Sequence, residues 1–226
     1  GAPRLAEGYA RIYGIRRDSI RVMPNWIDLA RFAPKGRAPQ TREKMGVPPA
    51  GKLVLFTHRL SARKGADLLL PIMEKLLEEV PNAYLAIAGI GPEATALTDR
   101  IQGNPLLAER VRLLGSVPNA DIPDLLEAAD VFLMPAREEG FPRVLLESWA
   151  MGTPIVAADV GAVRDLVPKE DYDLVVTEGD IEGFARATLM ALTIDKEKER
   201  EHLRGLAQKY DLPDVARQFV SLFSER

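Results

Sequence analysis

The sequence of 226 residues contains no cysteine, which excludes disulfide bridges and metal sites built on thiolates. It contains two histidines, and neither stands in a pattern with carboxylates that would indicate a zinc site. No apolar run approaches the roughly 18 residues that a membrane-spanning helix needs, and no signal peptide is recognisable. We therefore expect a soluble, cytoplasmic protein without a transmembrane segment.

An excess of positive charge is absent too. The 30 lysines and arginines face 33 aspartates and glutamates, so the net charge is −3, and basic residues cluster only locally, at 11–21 and 59–64. A protein that binds a phosphate backbone needs a basic face, so nucleic acid is not an expected partner. The sequence also lacks a Walker loop, a Gly-x-Ser-x-Gly elbow and an Asp-x-Asp metal pair.

The sequence does contain a regular alternation of short apolar runs and amphipathic stretches. Helices are predicted at 4–13 and between the apolar runs, only helices follow residue 181, and Asp121 is a predicted N-cap. A short strand is predicted at 19–24. The alternation predicts an α/β fold, a doubly wound, Rossmann-like parallel sheet with helices on both faces. Its parallel strands are predicted near 53–57, 83–88, 111–114, 131–135, 155–158 and 173–176.

The stretch 138–152, EEGFPRVLLESWAMG, contains two glutamates, Glu139 and Glu147, with seven residues between them. A predicted strand precedes Glu139, which places this residue in a turn at the carboxyl end of a strand, where open α/β sheets bind ligands. Pro142 suits the first position of the helix that follows, because an amide hydrogen would be unpaired there. The free amides of that first turn would face a bound anion.

This stretch resembles the Glu-x7-Glu signature of the retaining glycosyltransferases of family 4, also called glycosyl transferases group 1. These enzymes have the GT-B fold and use nucleoside-diphosphate sugars as donors. The resemblance implies that Glu139 contacts hydroxyls of the transferred sugar and that Glu147 accepts hydrogen bonds from the ribose. It also implies that the backbone at Gly140, Phe141 and Pro142 approaches sugar and phosphate, and that the sugar is transferred by a retaining, front-face displacement.

A basic loop carries a second part of the resemblance. HRLSARKG (58–65) resembles the family's G-R-L-x-x-x-K-G, in which arginine and lysine ion-pair with the donor diphosphate, and here these residues are Arg59 and Lys64. Negative charge builds on the leaving diphosphate as the glycosidic bond breaks, and fixed cations stabilise it. Because these cations can do the work of a metal ion, neither a metal nor a cofactor is expected. His58 stands where the family usually has glycine.

Two further stretches resemble family segments without carrying a role of their own. VMPNWID…FAP, at 22–34, resembles the segment that opens the donor-binding half, with Trp26 in place of a usual glycine. AGIGPE (88–93) resembles a G-D-G-P turn and is not a dinucleotide fingerprint. We interpret it as structural, with Gly89 or Gly91 allowing a close approach of the chain near the cleft.

Three later stretches complete the pattern. GSVPNAD (115–121) matches the family's nucleobase loop, with Val117 as the expected contact, and GTP (152–154) would place Thr153 at the ribose or a phosphate. DVGAVRDLV (159–167) departs from the family pattern at Ala162 and Asp165, and we expect it to be mostly structural. The resemblance thus implies three catalytic residues, Glu139, Arg59 and Lys64. It implies donor-binding residues Arg59, Lys64, Val117, Glu139, Gly140, Phe141, Pro142, Val144, Leu145, Glu147 and Thr153.

The resemblance covers residues 17 to 190 and only the carboxy-terminal, donor-binding half of a GT-B enzyme. It predicts an N-terminal helix from the interdomain region at 1–16, a donor-binding domain at 17–195 and C-terminal helices at 196–226. The donor would be a UDP- or GDP-sugar. A missing amino-terminal domain would bind the acceptor, a polysaccharide, lipid-linked or small-molecule glycan, and peripheral membrane contact of the longer protein stays open.

Such a half is expected to bind its donor without transferring the sugar. Apolar stripes on the terminal helices, at 4–13 and 214–224, are expected to leave some of their aromatic residues exposed, among Tyr9, Tyr13, Phe219 and Phe223.

Two other functions stay open at this point. One is a different enzyme on the same fold, a nucleotide-sugar epimerase or a phosphorylase, although no lysine placed for pyridoxal phosphate is identifiable. The other is a non-catalytic nucleotide-binding or scaffold domain. The combination of Arg59, Lys64, Glu139 and Glu147 argues against the scaffold, which has no need of all four. The nucleobase, the sugar, the acceptor and the oligomeric state are not predicted.

Overall fold

The computed structural model describes residues 3–224, and side chains from Ala6 to Leu222. Its centre is a sheet of six strands in the order β3-β2-β1-β4-β5-β6, and every neighbouring pair is parallel. The predicted doubly wound parallel sheet is therefore confirmed. The strands are β1 Lys52–Thr57, β2 Ala83–Ala88, β3 Val111–Gly115, β4 Val131–Met134, β5 Ile155–Ala158 and β6 Val175–Val176.

The central strands are apolar along most of their length, with Lys52 and Thr57 at the ends of β1, because both faces of the sheet are covered. In β1, Leu53 and Leu55 contribute to one core layer, whereas Val54 and Phe56 contribute to the other. This division follows from the alternation of side chains along a strand. A continuous apolar run is therefore the sequence signature of a strand between two helical layers.

Helices fill both layers. On one face α3 packs against α9, and on the other α7 packs against α10. The helices, in chain order, are α1 Pro3–Tyr13, α2 Ala38–Lys44, α3 Leu69–Glu79, α4 Ala94–Gln102, α5 Pro105–Arg110, α6 Ile122–Ala128, α7 Arg143–Ala150, α8 Val163–Leu166, α9 Ile181–Thr193, α10 Lys196–Gln208 and α11 Leu212–Ser224.

The strand predicted at 19–24 is wrong. Arg17–Ser19 form a 3-10 helix, and the chain then runs without a strand to an isolated bridge between Ile27 and Asp211. Residues 20–26 are only half-buried or exposed, so they face no sheet that could pair with them. The segment is instead held at its end, where the Ile27 amide donates to the Tyr210 carbonyl at 2.9 Å.

Three helix starts differ from expectation in detail. Asp121 occupies the N-cap position of α6, as predicted, but its side chain makes no capping hydrogen bond. Pro142 is the residue before α7 and not its first helical residue. Helix α5 was not predicted, although Asn104 is a recognisable signal for it. The side-chain oxygen of Asn104 accepts from the amides of Leu106 at 3.1 Å and Leu107 at 3.4 Å.

The terminal helices do expose large apolar side chains, as predicted. Tyr9 is 55% exposed, Tyr13 66% and Phe219 51%, and the two tyrosine rings stack with their centroids 5.8 Å apart. The side chain of Phe223 lies outside the described residues. Among the helices of residues 3–224, none is both long and apolar enough to cross a membrane.

Candidate functional site

A cleft of about 730 Å³ opens at the carboxyl edge of the sheet, lined by the loops that follow β1, β2, β3 and β4 and by the start of α7. Strand β1 lies between β2 and β4, so the connections on its two sides run to opposite faces. A crevice forms at such a switch point and is the usual ligand site of an open α/β sheet. The predicted residues that line it are Arg59, Val117, Glu139, Phe141, Val144 and Glu147.

Glycine allows the loops after β1 and β2 to run in contact along the floor of the cleft. A Cβ atom on Gly89, whose φ is +148°, would lie 1.9 Å from the carbonyl oxygen of His58, and one on Gly91 would lie 2.2 Å from that of Leu60. Neither position has room for a side chain. The structural role predicted for both glycines is confirmed.

Among the described side chains, Arg59 is an unpaired cation at the cleft. The residue is exposed and lines the cleft. Within the described part of the chain, its side chain makes neither an ion pair nor a hydrogen bond. Arg63, in the same loop, lies outside the cleft lining and is 3.8 Å from the carboxylate of Glu138. Arg59 is therefore the cation of this loop that an anion in the cleft meets directly.

Lys64 departs from its expected placement. It is 8% exposed and is not among the residues that line the cleft. Its ammonium donates to Glu139 Oε2 at 2.7 Å and to the carbonyl of Glu138 at 3.4 Å. The next residue, Gly65, has φ +73° and packs so closely on Pro135 that a Cβ would lie 1.9 Å from the Pro135 carbonyl oxygen. Lys64 thus lies behind Glu139, between the loops after β1 and β4.

Glu139 is also fixed by the segment after β5. Its Oε1 accepts from the amide of Gly140 at 3.1 Å, and the carbonyl of Gly140 accepts from the amide of Ala162 at 3.0 Å. A Cβ on Gly161, at φ +56°, would lie 2.0 Å from the Glu139 carbonyl oxygen. The stretch 159–167, which we expected to be mostly structural, therefore positions the backbone that carries the carboxylate.

Glu147 lies on α7, half-buried at the wall of the cleft. Burial raises the pKa of its carboxyl above the ordinary value, and the positive charges of Arg143 and Arg31 oppose this effect. The two arginines also line a recess of about 290 Å³ beside the cleft, which shares Asn119 with it. Sequence reasoning missed both arginines, although Arg143 stands four residues before Glu147 and so on the same face of the helix.

The start of α7 contributes donors of its own. In the described structure, no backbone carbonyl accepts from the amides of Arg143 and Val144, whereas the amide of Leu145 donates to the Pro142 carbonyl at 3.0 Å. Such unpaired amides at a helix N-terminus favour an anion. This end of α7 borders the cleft through Arg143 and Val144.

Besides Lys64, four predicted residues do not line the cleft. Gly140 and Pro142 flank the first turn of α7, and Leu145 points into the core, where it is fully buried. Thr153 is fully buried too, and its hydroxyl donates to the carbonyl of Leu126 at 2.6 Å. The contact predicted between Thr153 and a ribose or phosphate is therefore not available in this structure, because a neighbouring helix uses the hydroxyl.

His58 is a cleft residue that received no role from the sequence. It is half-buried at the end of β1, and its Nδ1 accepts from the amide of Arg59 at 2.7 Å. Burial lowers the pKa of the imidazole, as do the charges of Lys64 and Arg63, while Glu139 opposes them. The ring is therefore neutral at pH 7. No group of three or more His, Asp or Glu side chains that could hold a metal occurs among the described residues.

Comparisons with known proteins agree with this geometry. The family model described as glycosyl transferases group 1 matches residues 38–210. A curated relative, the D-inositol 3-phosphate glycosyltransferase of Xylanimonas cellulosilytica, is 30% identical over 97% of this chain and 54% of its own length. The chain spans about half the length of the curated relatives it matches.

Solved structures share the fold. Sucrose-phosphate synthase from Thermosynechococcus elongatus superposes with a TM-score of 0.83 at 25% identity, over 99% of this chain and 56% of the synthase chain. HepE from Anabaena, in complex with UDP and glucose, superposes with a TM-score of 0.83 at 23% identity, over 100% of this chain and 62% of the HepE chain.

Proposed function

Because the chain belongs to the glycosyl transferases group 1 family, we propose that its cleft binds a nucleoside-diphosphate sugar and that it serves as the donor-binding part of a retaining glycosyltransferase. One observation carries the proposal. Arg59, Glu139 and Glu147 line a single cleft at the carboxyl edge of the sheet, beside the unpaired amides of α7. A donor with phosphate, sugar and ribose requires a cation and unpaired amides for its phosphates, and two separate carboxylates for the hydroxyl groups of its sugar and its ribose.

The diphosphate lies against Arg59 and the amides of Arg143 and Val144 in this proposal. When the bond between the anomeric carbon and the phosphate oxygen breaks, the electron pair stays on the diphosphate, and its negative charge grows. Donors fixed before the reaction stabilise that charge without having to reorganise. Lys64 is paired with Glu139, so Arg59 and the amides of α7 stabilise the diphosphate in this proposal, and no metal ion is needed for this role.

The two glutamates bind different parts of the donor in this proposal. Glu139, held by Lys64 at 2.7 Å, accepts hydrogen bonds from hydroxyls of the transferred sugar. Glu147 accepts hydrogen bonds from the ribose hydroxyls, and Val117 contacts the nucleobase. Gly140 and Pro142, which lie outside the cleft lining, contribute by setting the course of the backbone.

The donor in this proposal is a UDP-sugar or a GDP-sugar, and a structural neighbour supports UDP. The HepE structure was described in complex with UDP and glucose, and the names of several relatives specify transfer of a glycosyl or N-acetylglucosaminyl group. The acceptor is bound by groups outside this chain in our proposal. Catalysis requires donor and acceptor to be held together, so this chain alone binds the donor and does not transfer the sugar.

A binding screen tests the proposal. UDP, GDP and ADP are titrated into the chain by calorimetry, with circular dichroism to show that it is folded. We expect at least one to bind in the micromolar-to-millimolar range, about −4 to −8 kcal/mol, and addition of EDTA to leave that affinity unchanged. A folded chain that binds none of the three at millimolar concentration would contradict the proposal. Efficient transfer from a radiolabelled donor by this chain alone would contradict its last part.

A further inference from the structure

We propose that His58 is a donor-binding residue whose Nε2–H group donates a hydrogen bond to the diphosphate, an inference that rests on the proposed function. His58 follows β1, directly before Arg59, and both residues line the cleft. The family's usual glycine would offer no side-chain donor here. This chain therefore has a neutral donor beside the cation that meets the diphosphate.

The hydrogen bond at Nδ1 fixes which ring nitrogen carries the proton. Nδ1 accepts from the amide of Arg59 at 2.7 Å, so Nδ1 is unprotonated and the neutral ring carries its hydrogen on Nε2. Across the described residues, Nε2 of His58 makes no hydrogen bond to the protein. A polar N–H group at the wall of a cleft, without a partner in the protein, is available to a ligand.

The backbone of His58 is rigid, so the ring is placed before a ligand arrives. Its amide donates to the carbonyl of Ala88 at 3.1 Å, and Gly89 packs against its carbonyl oxygen. Arg59 fixes the ring through Nδ1. A donor held in this way loses little freedom on binding, which increases its contribution to affinity.

Burial lowers the pKa of the His58 ring, and the positive charges of Lys64 and Arg63 add to this effect, so the neutral form is favoured. The charged groups that face His58 are Lys64, Arg63 and Glu139, and Arg59 follows it in the chain. Lys64 is paired with Glu139, and Arg63 lies near the carboxylate of Glu138. Arg59 is therefore the cation that favours a negatively charged group of a ligand near the ring. The diphosphate is the only part of the proposed donor that carries negative charge.

Substitution separates this role from the rest of the site. His58→Ala removes the donor, His58→Gln retains an N–H donor, and His202→Ala changes the other histidine of the chain, which lies on α10 beside Asp171 and outside the cleft lining. Affinities are measured for the nucleoside diphosphate that binds the wild type most tightly and for the corresponding nucleoside.

We expect His58→Ala to weaken nucleoside diphosphate binding about 10-fold and to change nucleoside affinity less than about twofold. His58→Gln should recover part of the lost affinity. His202→Ala should leave both affinities unchanged. The unchanged nucleoside affinity also shows that the site is folded. Equal diphosphate affinity in His58→Ala and the wild type overturns the inference while the proposed function stands. If no nucleoside diphosphate binds the wild type, both fall.

Nuclear magnetic resonance provides a second, independent test, because the chain has two histidines. Long-range proton–nitrogen correlations distinguish the two neutral tautomers, and His58→Ala assigns the signals. We expect His58 to be neutral at pH 7 with its proton on Nε2, and its Nε2 signal to shift with nucleoside diphosphate but not with nucleoside. A proton on Nδ1, or an Nε2 signal that is insensitive to the diphosphate, overturns the inference.

Discussion

The ammonium of Lys64 lies 2.7 Å from Oε2 of Glu139, and Lys64 is 8% exposed. The resemblance assigns the two residues to different parts of the donor, the diphosphate and the sugar, yet here they neutralise each other. A carboxylate held by a buried cation has a defined orientation before a ligand binds. The pair therefore links the loop after β1 to the loop after β4 and affects stability as well as binding.

Lys64→Met should destabilise the fold. The substitution leaves Glu139 without its cation in a largely enclosed position, so we expect the free energy of unfolding to fall by about 1–3 kcal/mol. Urea unfolding followed by circular dichroism measures it. Arg59→Met is the matched control, because Arg59 is exposed in the same loop and should change stability by less than about 0.5 kcal/mol. Equal effects of the two substitutions would mean that the pair contributes no stability.

A double-mutant cycle shows whether the pair itself is responsible. Glu139→Gln should cost less in the Lys64→Met background than in the wild type, because the charge that needs the lysine has gone. We expect a coupling free energy of at least about 0.5 kcal/mol. Additive effects of the two substitutions would indicate that Lys64 stabilises the loops by packing alone.

Arg59→Ala should weaken nucleoside diphosphate binding about 10-fold or more, because charge-assisted contacts to phosphate contribute about 1.5–3 kcal/mol. Calorimetry measures the change. Arg63→Ala is the control, since Arg63 carries the same charge in the same loop but does not line the cleft. If both substitutions weaken binding equally, the effect is the general field of a basic loop and not a contact with the phosphate.

The two glutamates should separate in their ligand preference. Glu147→Ala should weaken both a nucleoside diphosphate and its sugar derivative, because both contain ribose. Glu139→Ala should weaken the nucleotide sugar and leave the plain nucleoside diphosphate unchanged. Titrations of each variant with both ligands measure this. The assignment of roles is wrong if Glu139→Ala weakens binding of the plain nucleoside diphosphate as much as Glu147→Ala does.

Nucleoside affinity should decrease toward acidic pH. Burial raises the pKa of Glu147, so the carboxylate gains a proton as the pH falls through a value above the ordinary one for glutamate. Protonation removes an acceptor that the ribose hydroxyls use. The contribution of Glu147 to nucleoside affinity is therefore fully present above the raised pKa and is lost as the pH falls below it. A nucleoside without phosphate, titrated from pH 7.5 to 5, avoids contributions from His58 and Arg59, and Glu147→Gln should abolish the dependence.

The sheet could be predicted from the sequence because burial between two helical layers makes the central strands nearly continuous apolar runs. The same reasoning failed at 19–24, where SIRVMP has the composition of a strand but pairs with no strand of the sheet. Composition reports how a residue would pack, and it does not report whether a neighbouring strand is present.

The common placement of Arg59, Glu139 and Glu147 at one cleft was predictable, because each follows a strand or lies on a helix that begins at the carboxyl edge of the sheet. Their roles stay predictions. The site was not predictable where a side chain could bond with either of two partners. Lys64 could serve the diphosphate or Glu139, and Thr153 could serve a ligand or a carbonyl. Only the three-dimensional arrangement decides between them, because the protein partners, Glu139 and the Leu126 carbonyl, are distant from Lys64 and Thr153 in the sequence.

Thr153 tests whether a side chain bonds with a ligand or with the protein itself. Its buried hydroxyl donates to the carbonyl of Leu126 at 2.6 Å, in the last turn of α6, where carbonyls have no partner within the helix. Thr153→Val keeps the shape but leaves that carbonyl unsatisfied, so we expect a loss of about 1–3 kcal/mol in the free energy of unfolding and unchanged nucleotide affinity.

The matched control is Thr193→Val, whose hydroxyl donates to the Met190 carbonyl at 2.7 Å on the surface. Water can replace that bond, so stability should change by less than about 0.5 kcal/mol. Urea unfolding and calorimetry on both variants complete the comparison. If Thr153→Val retained full stability and lost nucleotide affinity, the hydroxyl would belong to the donor site after all, since a role in capping α6 cannot produce that combination.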